Sequence, residues 1–247
     1  MNNWKLKTII DSYRETKEFR FNNYIINPHV KNIIGNVRDK ALLEIGCGFG
    51  RYLEIFYAEN PLKLVGCDIS PYQVELCKEN IKNSNIELHV LDFSDVESSV
   101  ILGQHEYDIV YNIFVILYID ALSKLEIFIK NCYECLKQGG KVIICTLDII
   151  SAYSYPEVFD ILKFPTKFLK DEYTDGCPIE ISITNDCVVT CYHMDFDTIK
   201  RLMEKLGFKN VRKHNLFLKE NALQSFTEQE FNLIKESNIL LLIEAEK

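Results

Sequence analysis

Short apolar runs alternate with longer amphipathic stretches over most of this chain. Ala41-Leu42-Leu43 opens the series, and Leu62 to Asp68, Ile86 to Leu91 and Tyr107 to Asn112 continue it. Each is short, apolar and bounded by polar residues, as buried strands are. The fourth run carries on into Ile113-Phe114-Val115-Ile116-Leu117-Tyr118. Arg51 to Phe56 suits a helix, and Asp120 to Gln138 repeats Leu122, Leu125, Ile129 and Leu136 at helical spacing until Gly139-Gly140 stops it. Lys141 to Leu147 supplies a fifth strand. Asp197 to Leu206 is helical, with Ile199, Leu202, Met203 and Leu206 on one face and Gly207 at its end. Phe208 to Leu218 and Ile239 to Ala245 read as a sixth and a seventh strand. This alternation predicts an α/β fold: a mostly parallel sheet with helices on both faces.

Two segments fall outside the alternation. Residues 1–37 form an N-terminal helical arm. Residues 148–194 are too long for a structureless loop inside one domain. They are rich in aromatics (Tyr153, Tyr155, Phe159, Phe164, Phe168, Tyr173, Tyr192), and Glu180 to Thr184 pairs with Cys187 to Tyr192 as a hairpin around Asn185-Asp186. The insert reads as a lid and substrate pocket over the strand ends, where open α/β sheets place ligands. The chain as a whole, 1–247, reads as a single domain.

Chemistry concentrates at the strand ends. Glu44-Ile45-Gly46-Cys47-Gly48-Phe49-Gly50 joins the first strand to the first helix. Three close glycines let backbone approach a ligand where a Cβ would clash. The spacing is E-x-G-x-G-x-G, not the G-x-G-x-x-G of dinucleotide folds. Asp68 ends the second strand about twenty residues further on, where a carboxylate accepts both hydroxyls of a ribose. Ser70 is an N-cap and Pro71 a first helical residue. Asp92-Phe93 follows the third strand.

Glu44 to Gly50, Val65-Gly66-Cys67-Asp68-Ile69-Ser70-Pro71, Tyr107-Asp108-Ile109-Val110 and Leu136-Lys137-Gln138-Gly139-Gly140 together resemble the class I S-adenosylmethionine (SAM) methyltransferases. Leu202 to Val211 resembles the same family. The likeness covers Ala41 to Leu147 well and the region from Phe196 onwards moderately. It implies a Rossmann-like seven-stranded sheet in the order 3-2-1-4-5-7-6 with the last strand antiparallel. It implies that Glu44 helps hold the cofactor's ammonium, directly or through water, while Gly46, Cys47, Gly48 and Gly50 pass close to its amino-acid end. Asp68 and Ile69 then face the ribose, Asp92 and Phe93 receive the adenine, and Asn112 and Ile113 lie where the fourth strand reaches the transfer site. The arm resembles the helical cover of small-molecule methyltransferases, which puts Tyr13 over the sulfonium or carboxylate and Arg20 against the carboxylate. The arm, the insert and Tyr192-His193 resemble the small-molecule branch, including N-methyltransferases of toxoflavin-type pathways. The Asn/Asp-Pro-Pro-Tyr/Phe signature of the adenine- and glutamine-modifying branches is replaced here by Asn112-Ile113-Phe114-Val115.

Composition changes this picture little. The 247 residues are 47% hydrophobic and 26% charged, an ordinary globular balance. A formal net charge of -8 without a dense Lys/Arg run argues against a nucleic-acid partner. No uncharged stretch is long enough to cross a bilayer, and no secretory signal stands at Met1 to Lys5, so a cytoplasmic protein is expected. Nine cysteines, an odd number in a long chain, read as free thiols. Cys132 and Cys135 lie on a helical core stripe, and Cys187, Cys191 and His193 on one face of a strand, so no metal is expected.

Methyl transfer is the reading these features favour, with SAM as cofactor and a small, aromatic or heterocyclic acceptor methylated on nitrogen or oxygen. Tyr118 and His193 are the candidates for orienting or deprotonating the acceptor. Two other readings stand beside it: a non-catalytic SAM-binding regulatory subunit, and an NAD-dependent oxidoreductase, which the glycine spacing disfavours.

Overall fold

Five of the apolar runs form parallel strands side by side. In the computed structural model, which describes residues 11, 20–81, 85–184, 187–217, 222 and 225–247, these are β1 (Ala41–Ile45), β2 (Lys63–Asp68), β3 (Glu87–Val90), β4 (Tyr107–Ile113) and β5 (Leu136–Leu147). After β5 come a small antiparallel sheet, β6 (Thr166–Phe168), β7 (Pro178–Thr184) and β8 (Cys187–Tyr192), and then β9 (Lys209–His214) and β10 (Leu240–Glu246). The central sheet runs β3-β2-β1-β4-β5-β10-β9, with β10 antiparallel to both neighbours. That is the expected order, its seventh strand in chain order being the antiparallel one.

Strand parity sorts the side chains between two faces. Leu42, Tyr111, Ile143 and Leu242 pack under α1 (Asn27–Ile34), α2 (Arg51–Tyr57) and the first half of the core. Leu43, Ile45, Val110, Val142 and Ile144 pack under α5 (Leu122–Cys135) and α8 (Phe196–Lys205). The remaining helices are α3 (Pro71–Asn80), α4 (Ser98–Leu102), α6 (Ile149–Tyr153), α7 (Glu157–Ile161) and α9 (Glu228–Ser237). Thr227 and Glu230 form a reciprocal capping box at the start of α9.

Some boundaries differ from the sequence pattern. The helix expected to Gln138 ends at Cys135, and Leu136 is already extended. His105 and Glu106 donate their amides to the carbonyls of Glu134 and Cys135, and the Gly139 amide donates to the Lys247 carbonyl. The sheet therefore recruits residues 136–140 that local propensity assigns to the helix. The sixth strand stops at His214 rather than Leu218.

In the insert, β7 and β8 pair as the expected hairpin, from Pro178↔Tyr192 to Thr184↔Cys187; Asn185 and Asp186 lie outside the described residues. The small sheet buries Ile179, Ile181, Cys187, Val189 and Cys191 against Leu117 and Ile149. It therefore leans on the turn that leaves β4. All nine cysteines are buried, and none is in a disulfide. The described part of the arm is built into the core: Phe21, Ile25 and Ile26 of a π-helical turn (Phe21–Ile26) are buried, as are Val30 and Ile34 of α1.

Candidate cofactor and acceptor cleft

A cleft of about 160 Å³ lies across the carboxyl ends of β1, β2, β3 and β4. The carboxyl ends of the strands are where open α/β sheets bind small ligands. The glycine loop forms its floor. Gly46 and Cys47 both donate their amides to the Cys67 carbonyl, at 2.7 and 2.9 Å, which ties the loop to the end of β2. Gly46 has φ 71°, and a Cβ there would lie 2.3 Å from Val115 Cγ2. Gly50 has φ 91°, and its Cβ would strike Ile81 and Cys77. Only glycine fits either place.

Asp68 lines the cleft at the end of β2. Its Oδ2 accepts the Gly48 amide and its Oδ1 the Ser70 amide, each at 2.9 Å. Burial raises its pKa, and the two amides oppose that shift. Each oxygen keeps a second lone pair for a ligand hydroxyl. Ser70 caps α3 through the Gln73 amide, with Pro71 in the first turn. Ile69 lines the same wall.

Asp92 and Phe93 form the next wall. Asp92 Oδ1 accepts the Ser94 amide at 2.9 Å. Asn131 of α5 donates to the carbonyls of Phe93 and Asp95, at 2.9 and 2.8 Å, and so pins this loop. The Phe93 ring meets Phe128 edge to face at 5.2 Å. An apolar slot with a carboxylate at its edge suits an adenine ring. From β4 the cleft takes Ile113, then Phe114, Val115 and Tyr118 on a 3-10 turn (Ile116–Tyr118). The Tyr118 hydroxyl hydrogen-bonds the Cys191 thiol of β8.

Several expected site residues lie elsewhere. Glu44 is not in the cleft wall; Ile45 and Gly46 are. Parity turns Glu44 toward the face that holds Leu42 and Tyr111. There it is fully buried, accepts the Tyr111 hydroxyl at 3.1 Å, and has its pKa pushed well above the carboxylate range by burial. The Leu53 amide of α2 also bonds it. Glu44 thus braces the loop from below. Cys47 and Gly50 shape the loop from its buried side, Cys47 with its thiol against that of Cys77. Asn112, in register beside Ile45, is fully buried and is not in the cleft wall. Its side-chain amide has no hydrogen-bond partner among the described residues.

Arg20 is not near the cofactor wall. It donates to the carbonyls of Ser225 and Ile161, pairs with Glu230 at 3.4 Å and lies 4.6 Å over the Phe226 ring. The π-helical turn carries it toward α9. His193 is buried beside Asp195, with Nε2 2.9 Å from Oδ1, and does not line the cleft. Asp175 completes that polar knot by accepting the Asp195 amide and the Thr198 hydroxyl. Tyr13 lies outside the described residues.

Sequence reasoning missed Gln73, Phe114, Val115 and Lys124, all of which line the cleft. Gln73 is buried, and its Oε1 has no partner among the described residues. It stands three residues past the cap Ser70, on the first turn of α3 that faces Gly48, and that spacing was a usable signal. Lys124, exposed at the rim, pairs with Asp120 at 2.6 Å.

Residues 43–144 match the family model described as "Methyltransferase domain". Residues 43–144 thus correspond to a methyltransferase domain. A SAM-dependent methyltransferase from Mesorhizobium loti has the same fold, with TM-score 0.64 and 14% identity over 89% of this chain and 96% of that one. Among curated proteins, the ubiquinone biosynthesis O-methyltransferase of Chelativorans sp. is 28% identical over 108 residues, 43% of this chain and 40% of that protein. The tRNA N(3)-cytidine methyltransferase METTL2 of Xenopus tropicalis is 32% identical over 108 residues, 42% of this chain and 32% of that protein. The matched segment spans about half or less of the length of the curated relatives. By their names, one of these relatives is an O-methyltransferase of ubiquinone biosynthesis and the other acts on cytidine in transfer RNA. The dehydrogenase reading falls with the domain match. Among the described residues no helix is long and apolar enough to cross a membrane.

Proposed function

We propose that this methyltransferase domain moves a methyl group from SAM to a nitrogen or oxygen of a small, planar aromatic or heterocyclic molecule. The observation that carries the proposal is one cleft that joins the polar groups Asp68, Gln73 and Asp92 to the apolar residues Phe114 and Val115, with Tyr118 beside them. The residues fit the cofactor. The loop excludes any Cβ at Gly46, and Gln73 keeps an unpartnered buried oxygen for a donor.

Asp68 would accept the ribose hydroxyls, Gln73 a further hydroxyl or amine, and Asp92 the adenine amino group, with Phe93 and Phe128 against the ring. SAM supplies an activated methyl on a sulfonium, with a neutral thioether as leaving group. The chain's own task is alignment and exclusion of water, which is worth several kcal/mol of barrier when geometry is held. Tyr118, held by Cys191, orients the acceptor or takes its proton. The small sheet of residues 166–192, expected as a lid, adds no described residue to the cleft lining and instead supports Phe114 and Tyr118 from behind.

The resemblance to toxoflavin-pathway enzymes puts fused nitrogen heterocycles first among acceptors. The test is SAM consumption against nitrogen heterocycles, phenols, carboxylic acids and transfer RNA, with SAM and NAD affinities from calorimetry. SAM binding with turnover of a planar ring supports the proposal. Turnover of RNA alone overturns the acceptor class, and binding without any turnover favours the regulatory-subunit reading.

A further inference from the structure

Phe114 is a feature of the cleft that the sheet topology does not require. It follows β4 directly, and its φ is 59°. That left-handed conformation crowds the Cβ of any L-residue and is rare for a bulky aromatic. The surroundings hold it there. Its amide donates to the Cys145 carbonyl at 2.7 Å, and the next residue, Val115, fills the space over Gly46 and accepts the Tyr118 amide at 2.9 Å. The ring packs on two cores at once, the α1–α2 half of the main core and the core of the small sheet, and still lines the cleft. Strain of this kind persists only where the surroundings over-determine it, and it gathers at ligand-handling sites. A glycine would meet the same φ without strain, so the aromatic ring is what the position adds.

We infer that Phe114 is a specificity-determining residue of the acceptor site, its ring forming the flat wall on which a planar acceptor stacks. The purpose of the wall rests on the methyl-transfer reading, but the stacking itself is separately testable. Phe114 follows β4 and packs on the small sheet, two strands across from Asp68 at the end of β2 and three from Asp92 after β3. Its ring therefore serves the acceptor and leaves the ribose and adenine contacts alone. Tyr118, four residues on, borders the same space with a polar tip. The class of ligand is a flat, largely apolar ring with one polar edge.

The experiment titrates quinoline, and saturated decahydroquinoline as comparator, into the complex with S-adenosylhomocysteine (SAH). Binding is followed by ligand-observed NMR in wild type, Phe114→Leu and Phe114→Gly. Leucine keeps apolar bulk without a flat face, and glycine relieves the backbone and so guards against misfolding. Wild type should bind quinoline in preference to the comparator. Both variants should lose about fivefold to tenfold of quinoline affinity, the worth of an aromatic pair, while SAH affinity stays within about twofold. Equal quinoline binding in all three proteins, no binding in wild type, or a parallel loss of SAH affinity would each overturn the inference. Failure of wild type to bind SAH at all would instead refute the methyl-transfer reading, and the same quinoline series without SAH would then decide the role of Phe114.

Discussion

Replacing Asp68 by alanine removes a carboxylate that works in two directions. Inward, its oxygens accept the amides of Gly48 and Ser70, both at 2.9 Å. Outward, each oxygen has a lone pair for a ribose hydroxyl. Hydrogen bonds to a charged acceptor contribute about 1.5–3 kcal/mol each. Losing two of them weakens SAM or SAH binding by at least about 3 kcal/mol, more than a hundredfold in Kd. The inward loss is smaller, because the two amides lie at the cleft and water replaces the carboxylate. About 1 kcal/mol corresponds to a fall of ~2–4 °C in Tm for a chain of this size. Calorimetric titration of SAH into wild type, Asp68→Asn and Asp68→Ala, with thermal melts of each, separates the two effects. Asn keeps one acceptor and turns an amino group toward the other amide, so its affinity should fall between the two. An alanine variant that melts normally and binds SAH within about threefold of wild type would refute the ribose role. A variant that loses far more than ~4 °C would shift the decision to Asp68→Asn.

Glu44 gives a pH signature. Its folded pKa lies well above the unfolded value because of burial, so the folded state holds the extra proton between those two values. Stability is therefore fully present below about pH 4.3 and is lost as pH rises through the raised pKa. Glu44→Gln, which still accepts the Tyr111 hydroxyl, should flatten that part of the Tm–pH curve, and an unchanged curve would count against a protonated Glu44. Gly46→Ala adds a Cβ 2.3 Å from Val115 Cγ2 at φ 71°. It should cost about 1–3 kcal/mol of stability in a urea melt and weaken SAH binding, and a neutral result would mean that the loop moves freely. Arg20→Ala should cost about 1 kcal/mol of stability through the lost contacts to Ser225, Ile161 and Glu230, a fall of ~2–4 °C in Tm, and leave SAH affinity unchanged. A drop in SAH affinity would bring Arg20 back to the cofactor.

The apolar runs, the glycines and the acids at strand ends were legible because each is a local rule: a strand must be apolar to be buried, and a loop at positive φ with no room for a Cβ, as at Gly46 and Gly50, must be glycine. Those rules located β1 to β5, Asp68 and Asp92 without coordinates, and family likeness supplied the strand order. Side-chain direction is a different matter. Glu44 and Ile45 are neighbours in sequence, yet the pleat sends one under the loop and leaves the other on the cleft wall. On β4, Asn112 lies in register beside Ile45 yet is fully buried and outside the cleft wall, while Ile113 lines it. Arg20 and His193 were chemically suited to the site, but the π-helical turn and the knot with Asp175 and Asp195 carry them elsewhere. Gln73 and Phe114 went unseen because neither residue type announces a ligand. Only the packing of α3 on the loop and of the small sheet on the β4 turn brings them to the cleft. Sequence fixes which residues can be buried and where the backbone must bend; which way each side chain then faces depends on long-range packing that no local pattern contains.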